Sequence, residues 1–190
     1  MIGESLPFPM ILDIVQYGHP ALRAKGSRVE KIDEKIHQLA EDMLETMVDA
    51  DGVGLAAQQI GRPIQMCVVD VTDVSDRPSA MRINGHPVEL EEHMPLVLIN
   101  PEVETFGKVK AGTEGCLSFP GLRSKIERPY SVKVKAQLLD ESTIEFEADG
   151  LLARAVQHEH DHLHGILFID RMTAADRKAL ETEIEQLRNG

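Results

Sequence analysis

Apolar residues recur at spacings of three and four after Asp33, which is the pattern of an amphipathic helix. The apolar positions of this stretch are Ile36, Leu39, Ala40, Met43, Leu44, Met47 and Val48. Asp33 is suited to cap the first turn, and Gly52 is suited to end the helix. We therefore predict a long helix in the N-terminal half, with this apolar face in the core.

Shorter runs of continuous or alternating apolar residues predict strands. Four such runs cover residues 65–71, 96–99, 130–139 and 143–146. The pair Asn100-Pro101 is expected to end the second run, with residues 103–106 as a candidate continuation after the break. The last two runs are expected to form an antiparallel pair. Residues 72–95 are polar and predict a surface excursion, with a hairpin turn at Asn84-Gly85.

The final third of the chain predicts two further helices. The first opens at Asp149 or Gly150 and closes at Gly165, and its apolar first turns indicate a central, buried position. Residues 166–170 are expected to leave it as a short strand. A C-terminal helix is predicted over residues 173–188.

Composition is that of a globular protein, with 190 residues, 42% hydrophobic and 27% charged. We expect a single catalytic domain over residues 1–190, with an apolar N-terminal arm at residues 1–12. No run approaches the length of a membrane span and the N-terminus lacks a basic signal region, so we expect a cytoplasmic protein that contacts no membrane. The net charge of −12 disfavours direct binding to nucleic acid.

The predicted central helix carries the pattern His158-Glu159-x-x-His162. Residues four apart lie on one helix face, so the two imidazoles can bind one metal ion, while Glu159 can move protons beside it. The predicted fold class is α+β: antiparallel or mixed strands packed around this metal-binding helix, with a long helix before them and a C-terminal helix after them. A catalytic metal site needs a third protein ligand.

Three candidates for the third ligand follow from the sequence. A histidine three residues after Gly165 would complete an extended metalloprotease pattern, but that position holds Phe168. A downstream glutamate would give a zinc endopeptidase, and Glu181, Glu183 and Glu185 are available for it. Cys116, placed in a predicted loop between strands, could bind as a thiolate. His160 and His164 project off the ligand face, and Asp161 could orient a ligand histidine.

Three stretches together resemble the signature motifs of the peptide deformylases. They are GVGLAAQQ at residues 52–59, EGCLS at 114–118 and QHEHDH at 157–162. The similarity extends from about residue 15 to residue 172. It implies removal of the formyl group from N-formylmethionyl nascent polypeptides, with release of formate and with transient proximity to the ribosome.

The resemblance also implies roles for individual residues. Cys116, His158 and His162 would bind one divalent metal ion, with Fe²⁺ the native ion and Zn²⁺, Ni²⁺ or Co²⁺ as possible substitutes. Glu159 would transfer protons, and the Gln59 side chain and the Leu117 N–H would stabilise the oxyanion.

Further residues are implied to bind the substrate. They are Val53, Gly54, Gly115, Arg123, Leu151 and Ala155. Within this set, Val53, Leu151 and Ala155 would form the apolar pocket for the methionine side chain. An ion pair between Arg128 and Glu114 is also implied. The alternative function is a zinc endopeptidase with a downstream glutamate ligand.

Overall fold

Helix α2 (Gly150–Leu163) lies at the centre of the fold, where it contacts strands from both ends of a single sheet. The structure is a computed structural model that describes residues 9–189. Its other helices are α1 (Glu34–Asp49), α3 (Ala174–Ala179) and α4 (Glu181–Asn189). Short 3-10 helices span Pro20–Arg23, Ala57–Ile60, Leu90–Glu92 and Phe168–Asp170. Within the described residues, no helix is long and apolar enough to cross a membrane.

The sheet has seven strands in the order β1-β2-β5-β6-β7-β3-β4, and each neighbouring pair is antiparallel. The strands are β1 (Gly54–Ala56), β2 (Met66–Val69), β3 (Ser79–Ile83), β4 (His86–Val88), β5 (Leu96–Cys116), β6 (Phe119–Gln137) and β7 (Thr143–Asp149). The α+β fold class predicted from the sequence is therefore confirmed. Strand β1 lies at one edge of the sheet, next to the start of the site described below.

Helix α1 begins where the sequence predicted, because the Asp33 side chain accepts hydrogen bonds from the second and third helical N–H groups. Its core face packs against β1 and β2. The prediction was wrong for Val48, which is 66% exposed. Val48 follows the buried Met47 by one residue, about 100° further round the helix, and this places it outside the stripe. Residues 9–12 run along α1, and residues 1–8 of the predicted arm lie outside the described part.

The strand predicted over residues 96–99 does not end at Asn100-Pro101, because β5 runs on to Cys116 and includes residues 103–106, the candidate continuation. The pairing with β6 shifts register between Ile99 and Glu102, which lets the proline sit in a bulge. Asn100 adopts a positive φ of 50° and its side chain bonds both the N–H and the C=O of Val29. A tertiary contact therefore replaces the missing ladder bonds.

Residues 72–95 add to the sheet as well as to the surface. The hairpin at Asn84-Gly85 is confirmed, with both residues at positive φ as a two-residue hairpin turn requires. Strand β3 pairs with β7, and its Met81 is buried in the core. The excursion is therefore structurally joined to the region around α2.

Two predictions for the C-terminal part were wrong in detail. Residues 166–170 contain a 3-10 helix instead of a strand, because the Asp170 carboxylate accepts a bond from the Leu167 N–H and closes a tight turn. The helix predicted over 173–188 is divided at Leu180 into α3 and α4. This break allows Leu180, Ile184 and Leu187 all to pack into one cluster beneath the sheet hairpin.

Candidate metal centre and active site

Three potential metal ligands converge from two elements of the fold. Cys116 is the last residue of β5, immediately before the two-residue turn into β6, whereas the sequence predicted that it lies in the loop between strands. His158 and His162 lie one turn apart on α2. One ligand atom from each of the three residues lies within 4.8 Å of the other two, and the Cys116 Sγ is 3.3 Å from the His162 Nε2.

The donor set fits a divalent transition metal. One thiolate and two imidazoles suit zinc or ferrous iron, and three protein ligands leave a position open for chemistry. Burial holds the pKa of His162 well below its ordinary value, so this imidazole is neutral and able to bind a metal. The buried His162 Nδ1 has no hydrogen-bond partner among residues 9–189, which leaves Nε2 as the atom committed to the site.

Glu114 orients the first histidine ligand. Its Oε2 lies 3.0 Å from the His158 Nδ1, so a proton on Nδ1 leaves Nε2 free to face the metal position. Arg128 donates to both Glu114 oxygens at 2.7 and 3.0 Å, as the family resemblance implied, and Arg154 donates to Oε1 at 2.7 Å. Burial alone would raise the pKa of Glu114, but the bonds from His158 and Arg128 outweigh it and hold that pKa well below its ordinary value.

The sequence did not reveal that Glu114 is the carboxylate that holds the histidine. It offered Asp161 for that role, but Asp161 instead accepts bonds from Arg128 at 2.8 Å and from Arg171 at 2.6 Å. Arg154 was also missed. The contacts of Glu114 with His158 and with Arg154 each join residues more than 25 positions apart in the chain, so the local spacing of residues does not indicate them.

Glu159 is buried beside the metal ligands, and one of its carboxylate oxygens is left without a hydrogen bond from residues 9–189. Its Oε2 has no hydrogen-bond partner within the described chain, and burial raises its pKa to about 7. Strand β1 approaches so closely that a Cβ on Gly54 would lie 2.9 Å from the Glu159 Cδ. Gly54 is therefore required by the carboxylate of Glu159, whatever else it contacts.

The Gln59 amide is directed toward the same place. Its Oε1 accepts the Ala56 N–H at 2.9 Å, which turns Nε2 toward Cys116 Sγ at 3.5 Å and Ser118 Oγ at 3.4 Å. Gln58 lies apart from the site, with its amide beside Gly26. The 3-10 turn after β1 thus separates the two neighbouring glutamines.

A cavity of about 350 Å³ opens over these groups. Its lining includes every residue predicted to bind substrate, together with the candidate catalytic residues: Val53, Gly54, Gln59, Gly115, Cys116, Leu117, Arg123, Leu151, Ala155, His158 and Glu159. His162 lies beneath the cavity and is fully buried. The apolar side chains and the candidate catalytic groups therefore line the same cavity.

The alternative third ligands lie elsewhere. Glu181, Glu183 and Glu185 are exposed on α4. Phe168 packs its ring against Phe119, at a centroid distance of 5.2 Å. The rings of His160 and His164 lie against each other, 4.4 Å apart, and neither belongs to the ligand cluster.

A metal-ligand cluster of this kind, with an unpaired carboxylate beside it on an α+β scaffold, defines a metal-dependent hydrolase. The family model of polypeptide deformylase matches residues 11–178. The chain belongs to this family, whose members are metallohydrolases that remove N-formyl groups.

Individual relatives agree with the family match over nearly the whole chain. A peptide deformylase of Methylacidiphilum infernorum is 47% identical, and the match covers 95% of this chain and 95% of the relative. One from Opitutus terrae is 43% identical, with 94% of this chain and 93% of the relative covered.

Solved structures give the same answer. A variant of peptide deformylase 1B from Arabidopsis thaliana superposes with a TM-score of 0.80 at 36% identity, covering 93% of this chain and 90% of that one. A peptide deformylase from Synechococcus elongatus in complex with actinonin gives 0.75 at 34% identity, covering 100% and 92%.

Proposed function

We propose that this chain hydrolyses the N-formyl group of formylmethionyl peptides, with Cys116, His158 and His162 holding one divalent metal ion. The observation that carries the proposal is the convergence of these three ligand atoms beside Glu159. We propose Fe²⁺ as the native ion, while Zn²⁺, Ni²⁺ and Co²⁺ suit the same donors. When bound, the ion supplies Lewis acidity that activates water and polarises the formyl carbonyl.

Glu159 acts as the proton-transfer group in this proposal. A base with a pKa near the working pH combines the correct protonation state with a useful driving force. At a pKa of about 7, Glu159 can accept a proton from the attacking water and then donate it to the departing amine. Because its Oε2 has no partner in the described chain, no protein hydrogen bond has to break first.

Gln59 and Leu117 stabilise the developing oxyanion. The Gln59 Nε2 is held toward the site by the bond from Ala56 N–H to its Oε1, so the donor is positioned before the substrate arrives. The Leu117 N–H lies in the turn that follows Cys116. We expect Gln59→Ala to lower kcat by about 100-fold with metal retained. A kcat/KM for formyl-Met-Ala-Ser near that of wild type would contradict this role for Gln59.

The peptide substrate binds as an added strand at the open edge of β1. Strand β1 is the first in the sheet order and, among residues 9–189, pairs only with β2, so the main chain around Gly54 can bond another strand. Gly115 lines the same cavity as Gly54. Main-chain bonds are insensitive to sequence, which suits an enzyme whose substrates differ after the first residue.

Selectivity for methionine comes from the apolar part of the cavity. Val53, Leu151 and Ala155 offer an apolar wall next to His158, and Arg123 lines the exposed end. Nascent formylated chains are the implied substrates, so we propose transient proximity to the ribosome. The zinc endopeptidase alternative is not favoured, since its glutamates lie away from the histidines.

Release of formate from formyl-Met-Ala-Ser, measured together with metal content under anaerobic conditions, tests the proposal. Cys116→Ser should lose metal, while Glu159→Ala should keep metal and lose turnover. Turnover that survives Glu159→Ala would remove this residue from the mechanism. Cleavage of internal peptide bonds without formate release would favour the endopeptidase instead.

A further inference from the structure

The segment that precedes β3 is fastened to the start of the metal-site helix. The Pro78 C=O accepts the Leu151 N–H at 3.0 Å, and the Ser79 Oγ accepts the Leu152 N–H at 3.0 Å. Asp149, the N-cap residue, makes no side-chain capping bond of its own. The excursion therefore caps α2 from outside the helix and satisfies two of its free N–H groups.

Arg77 directly precedes Pro78, one of the two residues that make this cap. His158 and Glu159 lie about two turns further along the capped helix. Arg77 lines the main cavity together with both of them. It also lines an adjoining cavity of about 240 Å³, which has Lys110 and Tyr130 in its wall.

Arg77 has an uncommitted charge. Seven other arginines within residues 9–189 pair with carboxylates: Arg23, Arg82, Arg128, Arg154, Arg171, Arg177 and Arg188. Arg77 makes no ion pair or side-chain hydrogen bond with the described residues, although its side chain is half-buried. A guanidinium placed in this way is available to a carboxylate that enters from solvent.

The surrounding charges favour an anion. Among the exposed or half-buried charged residues that line the two cavities and form no ion pair with the described residues, three are cationic and two are acidic: Arg77, Lys110 and Arg123 against Asp51 and Asp76. The whole chain carries a net charge of −12. The cavity mouth is therefore locally cationic, although the protein as a whole is acidic. This local charge counteracts the repulsion that the negative net charge exerts on acidic peptides.

We propose that Arg77 is a specificity-determining residue that binds an Asp or Glu side chain within the first few residues after the formylmethionine. This inference rests on the proposed deformylase function. Arg77 lines both cavities and Lys110 lines the adjoining one, so a peptide that extends from the main cavity into the adjoining one meets side chains that favour acidic over basic residues. The excursion at residues 72–95 therefore both caps the metal-site helix and selects among substrates.

The test compares kcat/KM for formyl-Met peptides that carry Glu, Lys or Ala in turn at the second, third and fourth positions. Three proteins are used: wild type, Arg77→Glu and Arg62→Glu. Arg62 is exposed and lines neither cavity, so its variant carries the same change in net charge without touching the channel. Metal content and melting temperature are measured on each preparation.

A partly exposed ion pair worth up to about 1 kcal/mol corresponds to a preference of about fivefold. We expect wild type and Arg62→Glu to prefer Glu over Lys by about fivefold at one position or more, and Arg77→Glu to invert that preference. About 1 M salt should abolish it. An equal ratio in all three proteins, or an equal shift in both variants, would refute the role of Arg77. Absence of formate from formyl-Met-Ala-Ser with metal-loaded wild type would instead refute the proposed function.

Discussion

Replacement of Glu159 by glutamine should stabilise the metal-free protein at neutral pH. The carboxyl is 4% exposed, and burial raises its pKa from 4.5 to about 7. Between these two pH values, the folded protein keeps a proton that the unfolded chain has released. The free energy of unfolding of wild type therefore falls as pH rises through this window, and it becomes constant above about pH 7.

The size of the effect follows from the same two values. A rise from 4.5 to about 7, at about 1.4 kcal/mol for each pH unit, corresponds to about 3 kcal/mol. Glutamine cannot ionise, so the unfolding free energy of Glu159→Gln minus that of wild type should grow by this amount between pH 4.5 and pH 8. In a chain of this size, the difference amounts to roughly 10 °C in melting temperature.

Urea unfolding of the metal-depleted proteins, repeated at several pH values, measures this difference directly. Glu183→Gln is the matched control, because Glu183 is exposed on α4 and remote from the site. Only the pH dependence is diagnostic, since any packing change from the new amide is constant with pH. Parallel curves for wild type and Glu159→Gln would refute the claim that Glu159 is held in a costly, buried state.

Four further substitutions test the groups that support the site. Gly54→Ala should displace the Glu159 carboxylate and lower kcat/KM by about 100-fold with metal content unchanged, as measured by formate release and metal analysis; near-normal turnover would contradict the contact. Arg154→Ala should weaken metal affinity by about 10-fold in chelator competition. Gly112→Ala places a Cβ 2.8 Å from the Arg154 Cζ and should therefore lower metal affinity by a similar factor. In the double variant it should lower the affinity no further than Arg154→Ala does, and additive losses would exclude an effect through Arg154. Ser79→Ala should lower stability by about 1 kcal/mol through loss of the external cap, and an unchanged melting temperature would contradict that role.

Local patterns predicted the parts of the fold that local forces decide. The cap at Asp33 and the spacing of His158 and His162 are properties of a helix alone, so the sequence was sufficient for them. The end of β5 was not predictable, because the side chain of Asn100 is satisfied by Val29, 71 residues away. A turn signal that would end a strand in isolation becomes a bulge when a distant segment supplies the bonds.

The functional contacts of the excursion at residues 72–95 were likewise not predictable from the local sequence. Residues 72–95 are polar and predict a surface segment, but the sequence does not indicate that Ser79 would cap a helix 73 residues later. The resemblance to a family supplied no role for this segment, since the motifs lie outside it. Arg77 consequently had no signal in the sequence beyond being one charge in a polar stretch.

Two buried acidic residues beside the metal ligands, Glu114 and Glu159, have pKa values shifted in opposite directions, and the arrangement of arginines explains the difference. Arg128 and Arg154 both donate to Glu114, which remains ionised and available to hold the His158 Nδ1–H. Because their donors bond Glu114, Asp161 and backbone carbonyls, neither guanidinium bonds Glu159, and burial then governs the pKa of Glu159. If either arginine were directed at Glu159 instead, that carboxylate would be too weak a base to accept a proton near neutral pH. The same pairing that orients a metal ligand therefore keeps the neighbouring carboxylate competent for proton transfer.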